Sequence, residues 1–342
     1  MSAHNVTIKD IARELGVSPS TVSRALKDHP DISPETKRQV RELVEKLKYK
    51  PNAVALSLRN RKTNIIGVIV PEMVHHFFSS VISGIEETAM AAGYNVMIFQ
   101  SNESYEREVL NIQTLISSRV DGALVSISKE SKKFGHFREF MDSDTPLVFF
   151  DRATDEIETD KVIVDDFQGA FEATEHLIKT GCRRIAHLAA PQHLQIGYRR
   201  QRGYISALEK NGIEVDDRLI MKCDTHDEAL EKTHLIMSLP DPPDAIFAVN
   251  DMTATGVLKV LKRMNLRVPE DVSVVGFTDG LVSTVTDPPL TTVSQHGFDM
   301  GKIAAGILLK RINGGVDLKE PVVEVIKTDL VVRESTRKAG GS

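Results

Sequence analysis

Two groups of residues in this sequence have the types and spacing to do chemistry. In "VTIKDIARELGVSPSTVSRALKD", residues Ser20, Thr21, Ser23, Arg24 and Lys27 share one face of a short helical pattern. That face is short, polar and basic, as a helix must be to enter a major groove and reach base edges. The second group follows a series of apolar runs: Phe77 and Phe78, Ser128, Asp151 and Arg152, Asn250, and Thr278 with Asp279. Ligands in open α/β sheets bind beyond the C-terminal ends of the strands, so residues at those ends are candidates for binding. Aromatic rings suit the apolar face of a sugar, and carboxylates, amides and guanidinium groups suit its hydroxyls.

Catalytic chemistry finds no comparable support. No GxGxxG follows a strand and no GxxxxGK[ST] occurs, so no loop is built to cradle phosphates. The 11 histidines are scattered, and His75 and His76 are adjacent, which does not point both at one metal. Asp and Ser occur without an ordered base. Neither an enzyme, nor a metal site, nor a cofactor is expected. Cys182 and Cys223 lie far apart, outside any zinc or disulfide pattern.

These residues need elements to position them. The 342 residues suffice for two or three domains, and 41% hydrophobic with 27% charged residues is ordinary for a globular protein. The net charge of -5 is unevenly spread. Residues 1–62 carry 13 basic against 7 acidic residues, a balance of +6, and the rest carries -11. A basic head on an acidic body suggests that only the head meets a polyanion. Within it, Thr7 and Asp10 form a capping-box pattern ahead of an apolar stripe of Ile8, Ile11, Ala12 and Leu15. Gly16 turns the chain, Ser18 and Pro19 start a second helix, and Ser33-Pro34 a third. Two helices about a tight turn in a basic domain predict helix-turn-helix DNA binding.

From Asn64 onward, apolar runs alternate with helix-length segments. "NIIGVIV", "YNVMIFQ", "DGALVSI" and "PLVFF" read as one series of buried parallel strands. "KVIVDD", "RIAHLAA", "RLIMKC", "AIFAVN" and "VSVVGF" read as a second. Two such series predict two doubly wound subdomains. Between head and body lies "PNAVALSL", whose Leu56 and Leu58 are unexpected in a solvated linker. The N-terminus lacks an apolar signal core and no apolar run is long enough to span a membrane, so a cytoplasmic protein is expected.

"TIKDIARELGVSPSTVSRAL" followed by "YKPNAVALSL" resembles the DNA-binding head of the lactose/galactose repressor family. The likeness runs on through "GVIVPEMVHHFFSSVISGIE", "VDGALVS", "LVFFDR", "VPEDVSVVGF" and "PPLTTVSQ". It implies a repressor that binds a palindromic double-stranded operator as a homodimer under the control of a small-molecule effector. The implied fold is an all-α helix-turn-helix head and a periplasmic-binding-protein-like α/β core. The implied division is a head over 1–50, a hinge over 51–62 and a core over 63–337. Lobe 1 would span about 63–162 and 294–320, lobe 2 about 163–293 and 321–337.

On this resemblance Thr7, Ser18, Pro19, Ser20, Thr21, Arg24 and Asn52 meet DNA. Ala55 lets a short hinge helix approach the minor groove, and Leu58 wedges a base step there. Arg200 and Gln295 join the strand-end residues as effector contacts, with Thr278 standing where relatives often carry an acid. Arg152 and Arg200 would tolerate a carboxylate, so a sugar, a sugar acid or a sugar phosphate is each a candidate effector. The tail after Arg333 has no leucine heptads, so a dimer is expected rather than a tail-assembled tetramer. A transport protein would share the body, but the basic head and the absence of a signal core disfavour it.

Overall fold

The computed structural model describes residues 6–49, 62–314 and 320–338. It divides into two units, Met1–Thr63 and Asn64–Ser342. Asn52, Ala55, Leu56 and Leu58 lie outside the described residues.

Among its described residues the first unit has three helices, α1 (Ile8–Glu14), α2 (Pro19–Leu26) and α3 (Pro34–Lys46). Thr7 donates its N–H to Asp10 Oδ2 at 2.9 Å, and the hydroxyls of Ser18 and Ser33 accept the N–H groups of Thr21 and Thr36. Gly16 takes φ +66° between α1 and α2, a conformation that favours glycine. Ile11, Ala12, Val22, Ala25, Val40 and Leu43 form the core of this small unit. Their spacing puts one apolar stripe on each helix, and burying the three stripes together fixes the fold.

The second unit holds two six-stranded sheets. The first contains β1 (Ile65–Val70), β2 (Asn95–Gln100), β3 (Gly122–Val125), β4 (Leu147–Phe150), β5 (Asp160–Val164) and β11 (Val323–Ile326) in the order β11-β5-β4-β3-β1-β2. The second contains β6 (Ile185–Ala189), β7 (Ile220–Lys222), β8 (Ala245–Ala248), β9 (Ser273–Thr278), β10 (Thr291–Ser294) and β12 (Asp329–Val331) in the order β12-β10-β9-β8-β6-β7. All pairings are parallel except β10 with β12. Strands such as "IIGVIV" are apolar throughout because helices cover both faces of the sheet.

In lobe 1, α4 (His76–Ala91) and α12 (Gly297–Ile312) pack on one face, and α5 (Tyr105–Ser117) and α6 (Gly135–Met141) on the other. In lobe 2, α7 (Asp166–Lys179) and α8 (Gln195–Lys210) face α9 (His226–Met237) and α10 (Asp251–Arg263) across the sheet. A short α11 (Val282–Val285) follows β9.

Two boundaries differ from expectation. "KVIVDD" was expected to open lobe 2, but β5 pairs with β4 and β11 in the first sheet, so the chain crosses after Val164. The crossing expected near 320 falls after Ile326, because β11 pairs with β5 before β12 joins β10. An apolar strand reads alike in either sheet, and only its neighbours decide which one it enters.

Candidate functional site

A cleft of about 580 Å³ opens between the two lobes of the core. Its walls come from the C-terminal ends of strands in both sheets: His76, Phe77 and Phe78 after β1, Glu103 after β2, Lys129 after β3, Asp151 and Arg152 after β4, Asp224 after β7, Asn250 after β8 and Thr278 as the last residue of β9. Backbone strain concentrates here. Asp151 has φ +58°, Glu103 φ +59° and Thr278 φ +141°, the last a conformation that β-branched residues rarely adopt.

The buried charges of the cleft are organised in pairs. Arg152 Nη1 donates to both carboxylate oxygens of Glu103, at 3.0 and 2.8 Å. Lys129 Nζ, from lobe 1, lies 2.8 Å from Asp224 Oδ2 of lobe 2. Two more bonds cross between the lobes: His193 Nε2 to the Lys129 carbonyl at 2.7 Å, and Gln195 Nε2 to Asp155 Oδ2 at 2.6 Å. Asp151 is different. Its hydrogen-bond partner is the Ser126 hydroxyl, at 3.5 Å, and burial pushes its carboxyl up to about 6 against the pull of Arg152 and Arg200. Burial also pushes Asp251 up to about 6, although Thr292 Oγ1 and the Gly280 N–H both donate to it.

The cleft gathers Phe77, Phe78, Asp151, Arg152, Arg200, Asn250, Thr278 and Gln295. Ser128 and Asp279 are not among its walls. Ser128 is fully buried, with its hydroxyl 2.9 Å from that of Ser131 and its N–H donating to Glu108. Asp279 lines a neighbouring cavity of about 230 Å³ and accepts from Arg333 Nη2 at 2.7 Å. A place at a strand end brings the backbone to the cleft, but these side chains find stronger partners behind it.

Four of the gathered residues also hold the scaffold together. Arg200 is 3% exposed, donating through Nε to Asp166 at 2.7 Å and through Nη1 to the Val249 carbonyl at 2.7 Å. The amide of Asn250 caps α10 by accepting from the Thr253 N–H, and it donates to the Asp224 carbonyl. Phe77 and Phe78 meet edge to face at 5.2 Å and are mostly buried in the lobe 1 core, so little of either ring is free to stack.

Glu103, Lys129 and Asp224 were missed. The strand-end rule finds them when it is applied after "YNVMIFQ" and "RLIMKC" and carried one residue past Ser128 after "DGALVSI".

In the head, α2 presents Pro19, Ser20 and Arg24 to solvent, with Thr21 half-buried. The Ser18 hydroxyl caps α2, and the Thr7 hydroxyl donates to Asp10 Oδ2 at 2.6 Å. Arg24 bears no carboxylate partner among the described salt bridges, so its guanidinium is available on the exposed face.

Residues 7–52 match the family model described as bacterial regulatory proteins, lacI family, and residues 174–336 match a periplasmic binding protein-like domain. The HTH-type transcriptional repressor CytR of Escherichia coli (strain K12) is 33% identical over 97% of this chain and 96% of its own. The chain belongs to the lacI family. Catabolite control protein A of Priestia megaterium is also 33% identical, over 90% of this chain and 93% of its own. The lac repressor dimer, solved bound to operator and the anti-inducer ONPF, superposes with a TM-score of 0.86 at 26% identity, covering 98% of this chain and 100% of that one. The regulator CelR, solved in complex with cellobiose, gives 0.73 at 31% identity over 96% and 99%.

The family consists of transcriptional regulators rather than enzymes, with a helix-turn-helix head and an effector core. This chain carries both parts, and it is a transcriptional repressor of that family. Among the described residues no helix is long and apolar enough to cross a membrane, and no group of three or more His, Cys, Asp or Glu side chains could hold a metal ion.

Proposed function

We propose that this repressor binds a palindromic operator as a homodimer in the cytoplasm, and that a hydroxylated small molecule in the cleft changes its grip on DNA. The observation that carries the reading is the cleft, in which strand ends of both lobes converge on buried donors and acceptors. A ligand held by both lobes binds one lobe arrangement better than another, and that difference is all it can contribute to DNA affinity. The relatives solved with cellobiose and with ONPF support a sugar-like effector. Exposed apolar side chains on both lobes support the dimer: Met73, Val74, Leu281 and Val285. The loops that carry them approach one another, since a Cβ at Gly280 would lie 3.5 Å from that of His76.

In this reading Ser20 and Arg24 reach base edges, Thr21 supports them, Pro19 contributes shape, and the capping residues Thr7 and Ser18 sit near phosphates. Asn52, Ala55 and Leu58 act in the hinge, Leu58 as the minor-groove wedge. Asp151, Arg152, Arg200, Asn250, Thr278 and Gln295 surround the effector, while Phe77 and Phe78 form its wall.

Titration of a selected palindromic operator tests the DNA half. Arg24→Ala should cost about 1–3 kcal/mol and relax preference at one half-site position. An equal loss on every sequence, with a shallower salt dependence, would make Arg24 a phosphate contact instead. Leu58→Ala should weaken binding and reduce the bend while leaving the dimer folded. Unchanged bend and affinity would remove the wedge. For the effector half, a sugar that binds the core must change operator affinity, and operator must change sugar affinity by the same factor. Equal sugar affinity with and without operator would uncouple the cleft from the head.

A further inference from the structure

We infer that the cleft selects uncharged polyols and rejects their phosphate and carboxylate derivatives, and that Glu103 sets this selectivity. The inference rests on reading the cleft as the effector site. Three cations line it, Lys129, Arg152 and Arg200, and each already has a carboxylate against it. Glu103 holds Arg152 Nη1 through both oxygens, and Arg152 Nε lies 4.0 Å from Asp151 Oδ2. Asp224 holds Lys129 at 2.8 Å, with Glu103 4.0 Å away. Asp166 holds Arg200 at 2.7 Å.

The lining also carries six carboxylates: Glu72, Glu103, Asp151, Asp224, Asp227 and Asp251. Against three cations, that is a formal charge of -3 with the histidines neutral. An anionic ligand would have to displace Glu103 or Asp224, or lie among like charges where the surroundings screen poorly. Asp151 sharpens the discrimination. It is 6% exposed, and the Ser126 hydroxyl at 3.5 Å gives it only a long hydrogen bond. A hydroxyl can donate to it, whereas a carboxylate or a fully ionised phosphate offers acceptors alone.

Glu103 is the controlling residue because it neutralises Arg152 directly and Lys129 at longer range. Glu103→Gln keeps an acceptor on Arg152 and removes the negative charge. The test is calorimetry of the full-length protein with pairs that differ in charge: ribose and ribose 5-phosphate, glucose and glucose 6-phosphate, trehalose and trehalose 6-phosphate, cellobiose and cellobionate.

In the wild type, the neutral member of at least one pair should bind at least tenfold more tightly than its anionic partner. Glu103→Gln should narrow that gap at least tenfold. If that variant does not fold, Asp224→Asn makes the same test through Lys129. An anion that binds the wild type as tightly as its neutral partner overturns the selectivity. A gap unchanged by removing the carboxylate overturns the role of Glu103. If no pair binds, or binding survives Asp151→Asn unchanged, the cleft is not the effector site and the inference falls with that reading.

Discussion

Arg200→Ala should destabilise the core by about 3–5 kcal/mol, the cost of removing one partner from a buried ion pair. The side chains of Arg200 and Asp166 are 4% and 3% exposed, and Arg200 also stacks 3.7 Å from the centroid of the Phe277 ring. Removing the guanidinium strands the Asp166 carboxylate in the interior and leaves the Val249 carbonyl without its 2.7 Å donor. Burial already raises the Asp166 pKa, with Arg200 the first of the groups holding it down. In the variant the folded-state value should rise further above the unfolded one. The deficit is then full at neutral pH and shrinks as pH falls through the variant's raised value toward the wild type's own folded-state value, because a protonated Asp166 needs no counter-ion. Denaturant unfolding at pH 7 and pH 5 measures this. An equal loss at both would show that packing, not charge, is what the arginine supplies. Adding Asp166→Asn should recover part of the stability. Loss of effector binding in Arg200→Ala alone would therefore not identify a ligand contact.

Gly301→Ala should cost about 3 kcal/mol, the upper end of the usual range for overpacking. Helices α4 and α12 cross so closely that a Cβ at Gly301 would lie 2.0 Å from the Val81 carbonyl oxygen, and one at Gly84 would lie 2.1 Å from that of Phe298. Backbone atoms cannot turn aside as a flexible side chain can, so the helices must separate. The first turn of α4 carries His76, Phe77 and Phe78 into the cleft wall, and the disturbance should weaken effector binding too. Gly306, on the same α12, is the control: a Cβ there meets nothing within 4 Å. Gly306→Ala should be neutral or stabilising by up to about 1 kcal/mol, from helix propensity alone. If Gly301→Ala melts with the wild type, the close crossing is not a constraint on the fold.

The sequence by itself determined the head, because every signal there is local. Caps, Pro at the first helical position, Gly16 in the turn and apolar spacing of three and four act within one or two turns of chain. Local runs also disclosed β1 to β9, though not β10, β11 and β12, and the strand-end rule brought Asp151, Arg152, Asn250 and Thr278 to the cleft. Tertiary structure decided what depends on distant partners. "KVIVDD" and "PVVEVI" enter the first sheet because β5 lies between β4 and β11, a choice that an apolar run does not encode. Arg200 finds Asp166 34 residues away, Arg152 finds Glu103 49 residues away, and Lys129 finds Asp224 across the lobes. Those pairings make the cleft acidic despite its three cations, since a charge in the sequence acts on a ligand only to the extent that the fold leaves it unpaired.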